Sequence, residues 1–230
     1  MGFPSRLIAR AFQATVPVIL GYFPLGVAFG LLFVDQVGAG WLYAFLMSLI
    51  VFAGASQFLA VGLLAAGAGI AEIAAATFVL NARHAFFGVS LLERWRTGPL
   101  KKFFLIYWLT DETYALITSL KAPPDVEESD FHLLIAGINY SSWCAGSLAG
   151  ALAGEAIAFD TAGLDFTLTA LFAVLLVEQV RRVREPFPFL LALAAGLATL
   201  AVFGTANMLL ISITLALILV VADGARRGWA

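Results

Sequence analysis

Uncharged runs of bilayer length, cut by short charged clusters, fix what this chain can become. A helix needs roughly 20 apolar residues to cross a hydrocarbon core about 30 Å thick, and the sequence supplies such runs one after another from Gln13 to Ala222. Only 12% of the residues are charged against 62% hydrophobic, where a soluble domain carries about 25% charge. That leaves too little polar surface to coat a water-soluble globule, and it excludes a soluble enzyme, a nucleic-acid binder and a disordered scaffold. A net charge of −2 offers no basic field to a phosphate backbone. The single cysteine, Cys144, can neither close an internal disulfide nor build a thiolate metal site alone. The runs are continuous rather than alternating, which argues against a β-barrel.

Cutting at charged and turn-rich stretches gives Gln13–Val34, Trp41–Leu64, Ile70–Leu92, Lys102–Leu120, Phe131–Gly154, Leu164–Val180, Phe187–Phe203 and Ala206–Ala222. Gly204 and Thr205 form so short a connection that the last two can also be one bent unit. The expected fold is an all-α, polytopic membrane helix bundle of about seven or eight segments, in one integral membrane domain spanning 1–230. Gln13–Val34 holds Pro17, Pro24 and three glycines and is too long for the apolar region of a cleavable signal peptide.

Basic residues gather at Arg6/Arg10, Arg94–Lys102, Arg181–Arg184 and Arg226/Arg227, so these stretches and both termini are expected on the cytoplasmic side. The acidic loop Asp125–Asp130 is then expected outside. Three apolar segments separate the basic N-terminus from Arg94–Lys102, although both ends belong on one side. Two separate the acidic loop from Arg181–Arg184, where an odd number is required. One segment in each half is therefore expected to be broken or re-entrant, with its irregular backbone buried in protein. Gly26-x-x-x-Gly30 is matched by Gly146-x-x-x-Gly150-x-x-x-Gly154. These stripes mark 11–120 and 131–222 as candidate halves of an inverted repeat. Close helix packing through small residues explains the same spacing.

Ionisable groups at membrane depth cost about 2.5–3.5 kcal/mol each on insertion scales and call for a reason. Asn81-Ala82-Arg83-His84 lies near the middle of its segment, and Asp111-Glu112 is central in Lys102–Leu120. Tyr107, Asp111, Tyr114 and Thr118 recur at helical spacing and read as one polar stripe. Asp111 and Glu112 project about 100° apart on a helix, so they do not share one proton; one can pair with Arg83 while the other titrates. Gly54-Ala55-Ser56-Gln57 permits a helix break whose freed N–H groups and positive dipole end suit a carboxylate. Pro24 removes a backbone bond and, with Gly26, is expected to break or kink the first segment. Asn139, Ser141, Ser142 and Asn207 are weaker candidates; Glu178 reads as interfacial, and Trp143 and Cys144 as packing.

No Gly-x4-Gly-Lys-Ser/Thr loop is present, so ATP hydrolysis is not expected in this chain. With only His84 and His132, a histidine metal centre is not expected either, nor any cofactor. Gly54-Ala55-Ser56 has the Gly-x-Ser form of intramembrane serine proteases, but Gln57 stands where a glycine is needed. A membrane assembly or structural subunit, with ion pairs that only hold helices together, is the competing non-transporting reading.

Five motifs, in order, carry a family resemblance. They are Gly21-x-x-Pro24-Leu25-Gly26 with Phe29-Gly30, Phe52-Ala53-Gly54-Ala55-Ser56-Gln57-Phe58, Asn81-Ala82-Arg83-His84, Asp111-Glu112-x-Tyr114, and Gly163-Leu164-Asp165-Phe166 followed by Ala170-Leu171-Phe172. Over about Ala11–Val177 the chain resembles the AzlC family, the large subunit of branched-chain amino acid exporters. Leu209–Val221 is a plainer apolar run than that family leads one to expect. The resemblance implies export of leucine, isoleucine, valine or related apolar amino acids from a bacterial inner membrane, with a small membrane partner of the AzlD type.

Residues and resemblance together give a working mechanism. Gly54, Ser56, Gln57, Asn81, Arg83 and Tyr114 are expected to bind substrate, the carboxylate at Arg83, Asn81 or the Gly54–Gln57 N–H groups. Asp111 or Glu112 receives the ammonium, and Asp111, Glu112 and His84 are expected to carry a coupling proton.

Overall fold

The computed structural model describes residues 3–157, 166, 169–170, 173, 176–177, 180–181, 186–204 and 208–226. α1 (Ser5–Leu32) runs into a π-helical turn, Phe33–Val37, closed by Gly38 at φ 69°. α2 (Trp41–Ile50), α3 (Gly54–Ala65), α4 (Ile70–Leu92), α5 (Pro99–Tyr107), α6 (Asp111–Ser119) and α7 (Glu128–Ala156) follow. α8 (Phe187–Phe203) and α9 (Met208–Arg226) pair with each other, and α9 leans on α4. Most of the expected segment Leu164–Val180, with Gly163, Asp165, Glu178 and Asn207, lies outside the described residues.

α1 and α7 form the spine and run in the same direction. Leu7 and Ala11 pack on Phe131 and Ile135 at one end; Gly30 meets Ser147 and Ala151 towards the other. A Cβ on Gly26 would stand 2.8 Å from the Trp143 carbonyl and 3.0 Å from the Ser147 nitrogen. One on Gly30, Gly146 or Gly150 would overlap the backbone of the facing helix outright. Only glycine permits this approach, so the two glycine stripes are the two sides of one contact. α1 remains helical through Pro17 and Pro24. The break expected at Pro24 and Gly26 does not occur: proline costs one internal bond, while packing on α7 holds the rod together.

The breaks lie elsewhere. Trp41–Leu64 divides at Val51–Ala53, where Phe52 takes φ 40°. α2 starts at the end marked by Glu155, whose carboxylate accepts the Trp41 N–H at 2.5 Å. α3 returns to that end beside the π turn. With 10 and 12 residues, α2 and α3 reach about 15–18 Å, half a bilayer. Lys102–Leu120 divides at Trp108–Thr110. α5 enters from the end holding Lys101, and α6 returns to pack Leu116 on the Leu7–Phe131 cluster. The tips of the two hairpins meet at mid-depth, where the Tyr107 hydroxyl donates to the Leu49 and Ile50 carbonyls.

We call the end with Leu7, Lys101 and Phe131 the near end. Arg94 pairs there with Glu128, and Lys101 lies 2.5 Å from Asp130 and 3.3 Å from Glu127. Burial alone depresses the Lys101 ammonium, but the Asp130 and Glu127 carboxylates outweigh it and raise it above its ordinary value. The Ser129 hydroxyl, first, and Lys101 hold Glu127 below the usual carboxylate range. The acidic loop therefore shares an end with the basic Arg94–Lys102 loop, contrary to the sequence expectation. The physical reason is the Trp108–Thr110 break, which makes Lys102–Leu120 a hairpin instead of a rod. The same break separates Tyr107 from Asp111, Tyr114 and Thr118, so the expected single polar stripe is two unrelated faces.

The outer surface is apolar along its length: Leu20, Phe78 and Val202 are 70–75% exposed. α1 with its π turn, Ser5–Val37, is itself long and apolar enough to cross a bilayer. Such a surface suits lipid, and the chain is a helical membrane bundle.

Candidate functional site

Where the hairpin tips meet, an open cavity lies among α1, α3, α4, α6 and α7, with about 580 Å³ of space when the open solvent at its mouth is included. Its walls differ in chemistry. α6 begins at its rim, with Thr110 as N-cap accepting the Thr113 N–H at 3.3 Å and with Asp111 and Glu112 in the first turn. α3 also begins there, but Ala53 offers no side-chain cap and the first turn holds no acid. The leading N–H groups of a helix lack internal partners, and here they belong to Gly54, Ala55 and Ser56. Leu25, Phe52, Phe58 and Trp143 supply apolar wall.

Each carboxylate has its own neighbour. Glu112 Oε2 accepts the Tyr22 hydroxyl at 2.5 Å, and Tyr22 also lies 2.6 Å from Thr110 Oγ1. Asp111 Oδ1 stands 3.8 Å from His84 Nε2. Asn81, one turn before His84 on α4, accepts the Ser56 hydroxyl at 2.8 Å and also lines the cavity. Asp111 and Glu112 thus face different partners from α4 and α1.

Of the residues expected at the site, Gly54, Asn81, His84, Asp111 and Glu112 line the cavity. Ser56 and Gln57 sit just behind it, fully buried. Gln57 is spent inside the protein: its amide oxygen accepts from Trp143 Nε1 at 3.0 Å and from the Ala53 N–H at 3.3 Å, and its nitrogen donates to Ser48 at 2.9 Å. It braces the tip that presents Gly54. Tyr114 points away, stacked on Phe87 at 4.5 Å between ring centres and accepting from Ser90. Arg83 lies on α4, and its side chain is outside the described set. Sequence reasoning missed Tyr22, Thr110 and Trp143. Trp143 is more than packing, since its indole lines the cavity while its Nε1 anchors Gln57. The available signal for Thr110 was its position directly before two acids, the pattern of a helix start.

A sequence model of the family described as AzlC protein matches residues 17–157. The chain is 38% identical over 205 residues to an uncharacterized membrane protein of Helicobacter pylori, covering 89% of this chain and 90% of that one. It is 33% identical over 208 residues to the branched-chain amino acid transport protein AzlC of Bacillus subtilis, covering 90% and 81%. With inner membrane protein YgaZ of Escherichia coli it shares 30% over 206 residues, covering 86% and 83%. No solved structure matches. The matched span runs from α1 to the end of α7 and contains every wall of the cavity, and on that evidence the chain belongs to the AzlC family of membrane proteins.

Proposed function

We propose that this chain is a multi-pass, non-enzymatic secondary transporter of the bacterial cytoplasmic membrane that exports branched-chain or other apolar amino acids, coupled to protons and working with a small AzlD-type membrane subunit. The observation that carries the reading is the division of the cavity into an acid-bearing helix start, an uncapped neutral helix start and an apolar wall. Those three surfaces match the ammonium, carboxylate and hydrocarbon side chain of one zwitterion. The ammonium lies at Asp111 or Glu112, the carboxylate at Gly54–Ala55 with Asn81 and Arg83, and the side chain on Leu25, Phe58 and Trp143. The Bacillus subtilis relative's name supports the substrate class.

The near end is the cytoplasmic one in this reading. Arg6, Arg10, Arg94, Arg96, Lys101, Lys102 and Lys121 belong to it, while among the described residues Asp35, Glu72 and Glu155 lie at the opposite end. Coupling follows from a carboxylate that exchanges an ammonium for a proton as the cavity changes sides.

The deciding experiment expresses this chain with and without a small partner in cells challenged with a toxic leucine analogue. Resistance specific to apolar analogues and dependent on both chains is expected; unchanged internal amino acids in every arrangement would sink the reading. Asp111→Asn and Glu112→Gln are then compared for pH-dependent efflux, and full activity with unchanged pH dependence in both would remove the coupling role.

A further inference from the structure

Glu112 is the end of a buried chain of hydroxyls that leads away from the cavity. Its Oε2 lies 2.5 Å from Tyr22 Oη, Tyr22 Oη 2.6 Å from Thr110 Oγ1, and Thr110 Oγ1 3.0 Å from Thr113 Oγ1. Asn139 Nδ2 donates to Thr113 Oγ1 at 3.0 Å from α7. Tyr22 and Thr110 are each 7% exposed, and Thr113 and Asn139 are fully buried. Every oxygen between Glu112 and Asn139 belongs to a hydroxyl, with one proton to give and lone pairs to accept. One proton per link makes the whole chain directional. In the structure Thr110 donates to Thr113 and Tyr22 to Glu112; for the relay with Glu112 ionised, the two threonine hydroxyls turn so that Thr113 donates to Thr110 and Thr110 to Tyr22. With Glu112 protonated, each donation must reverse.

We infer that Tyr22, Thr110 and Thr113 form a proton relay that loads and discharges Glu112 from inside the bundle, starting at Thr113 behind the cavity and reaching Glu112 through the wall residues Thr110 and Tyr22. The inference rests on the proton-coupled reading of the site and adds a route to it. The transfer is concerted. Tyr22 passes its proton to Glu112, Thr110 to Tyr22 and Thr113 to Thr110, while Thr113 takes a proton from an aqueous hydronium at the inner end. Four O–H bonds break, that of the hydronium included, four form one position along, a water molecule is left at the inner end, and Glu112 leaves neutral. Discharge runs the same steps backwards into water.

The inner end points to the near face. Asn139 Oδ1 is buried with no hydrogen-bond partner among the described residues, as is His132 Nε2, seven residues earlier on α7. His132 is fully buried, takes a hydrogen bond on Nδ1 from Trp95 and lies 3.8 Å from Glu128 at the near end. Two unmet polar atoms thus mark one face of α7 between the relay and the near-end surface. Among the described side chains, the titratable and charged groups around Glu112 are Tyr22 from α1, Asp111 on its own helix and His84 from α4; those facing His132 are Glu128 and Arg94. The positions of α3 and α7 in the cavity wall are Gly54, Ala55, Phe58 and Trp143, which do not exchange protons in this range.

The test uses the full chain, with its partner subunit if activity needs one, in liposomes loaded with leucine. Two rates are compared: leucine–leucine exchange, which moves no net proton, and net leucine flux driven by an imposed pH gradient. Thr113→Val, behind the cavity wall, is expected to keep exchange within about twofold while gradient stimulation falls about tenfold, the upper end for one lost neutral hydrogen bond. Thr113→Ser restores the hydroxyl and is expected to restore the stimulation, which separates the relay from a loss of packing. Full gradient stimulation in Thr113→Val, or no rescue by serine, overturns the relay and leaves the coupling reading intact. A wild-type protein that exchanges leucine and ignores the gradient overturns the coupling reading, and the relay falls with it.

Discussion

Gly54→Ala tests the geometry of the site through one methyl group. A Cβ at position 54 would meet the Trp143 six-membered ring at 2.9 Å, with two further ring atoms at 3.3 Å, where ordinary contact begins near 3.4 Å. The indole must retreat by about half an ångström or more, and it has nowhere easy to go. Its Nε1 holds Gln57, and its faces and edges meet Phe29, Phe58 and Tyr22 within 6.3 Å of ring centres. Overpacking of a tight core costs about 1–3 kcal/mol, and weakening the Trp143–Gln57 bond costs about 0.5–1.5 kcal/mol. Alanine recovers up to about 1 kcal/mol of helix propensity, and Gly54 has no positive φ to lose. The net strain is about 1–3 kcal/mol, placed at the tip whose N–H groups are proposed to hold the substrate carboxylate. A roughly 5- to 150-fold loss of leucine transport efficiency is expected if that strain falls on binding. Trp143→Phe removes the offending ring atoms, so Gly54→Ala/Trp143→Phe should transport better than Gly54→Ala alone. Wild-type kinetics in Gly54→Ala, or a double variant no better than it, would refute the argument.

Gly150→Val puts a side chain into the Val27 backbone and is expected to cost more than about 3 kcal/mol, read as lost folded protein in detergent extracts, whereas Gly21→Ala, with open space at its Cβ, should be silent. In a Cys144→Ser background, cysteines placed at Arg96 and Asp125 should label from the same face of the membrane and one at Glu72 from the other; labelling of 96 and 125 from opposite faces would contradict the α5–α6 hairpin. The near-end ion cluster has a defined pH window. Lys101 is raised above 10.5, so its contribution is full below that value and fades as pH rises through the folded value. Glu127 is lowered below 4.5, so its contribution is full above that value and fades as pH falls further. Melting in detergent should therefore show no change from this cluster across about pH 5–10, and a small salt-sensitive loss in Lys101→Ala.

Much of this was legible in the sequence, and the rest was hidden for identifiable reasons. Apolar run length and charge shortage give the helical membrane class without ambiguity. Crossing arithmetic demanded a broken segment between the N-terminus and Arg94, and the Val51–Ala53 break in Trp41–Leu64 answers it. The acidic loop was misplaced because Lys102–Leu120 has the length of a full span, and length says nothing about a mid-run reversal. Thr110-Asp111-Glu112 carried that information as a helix start. Once the hairpin is admitted, the acidic loop and Arg181–Arg184 belong on one side, so the required number of crossings between them is even and the two segments counted from the sequence satisfy it. Pro24 misled in the opposite direction, since a proline signals a lost bond and not a lost helix. Tyr22 could not be found by pattern. Its partner Glu112 lies 90 residues away, and only the packing of α1 beside the α6 start brings them together.

The two hairpins also give the cavity its logic. α1 followed by α2–α3, and α4 followed by α5–α6, repeat one order of elements in opposite senses: a long helix, then a hairpin entering from the end just reached. Each hairpin delivers one helix start to mid-depth, and sequence makes the two starts chemically unlike. Gly54-Ala55-Ser56 carries the first-turn N–H groups with no acid beside them, while Thr110-Asp111-Glu112 caps its own helix start and adds negative charge. In the proposed reading, a zwitterion bridging them would be held by two elements rooted at opposite ends of the bundle. Neither hairpin can withdraw without releasing one charged end of the ligand, so its departure is tied to movement of one root at a time. That asymmetry in what the tips carry, laid over a matched pair of hairpins, is what a site loaded from one side and emptied on the other requires.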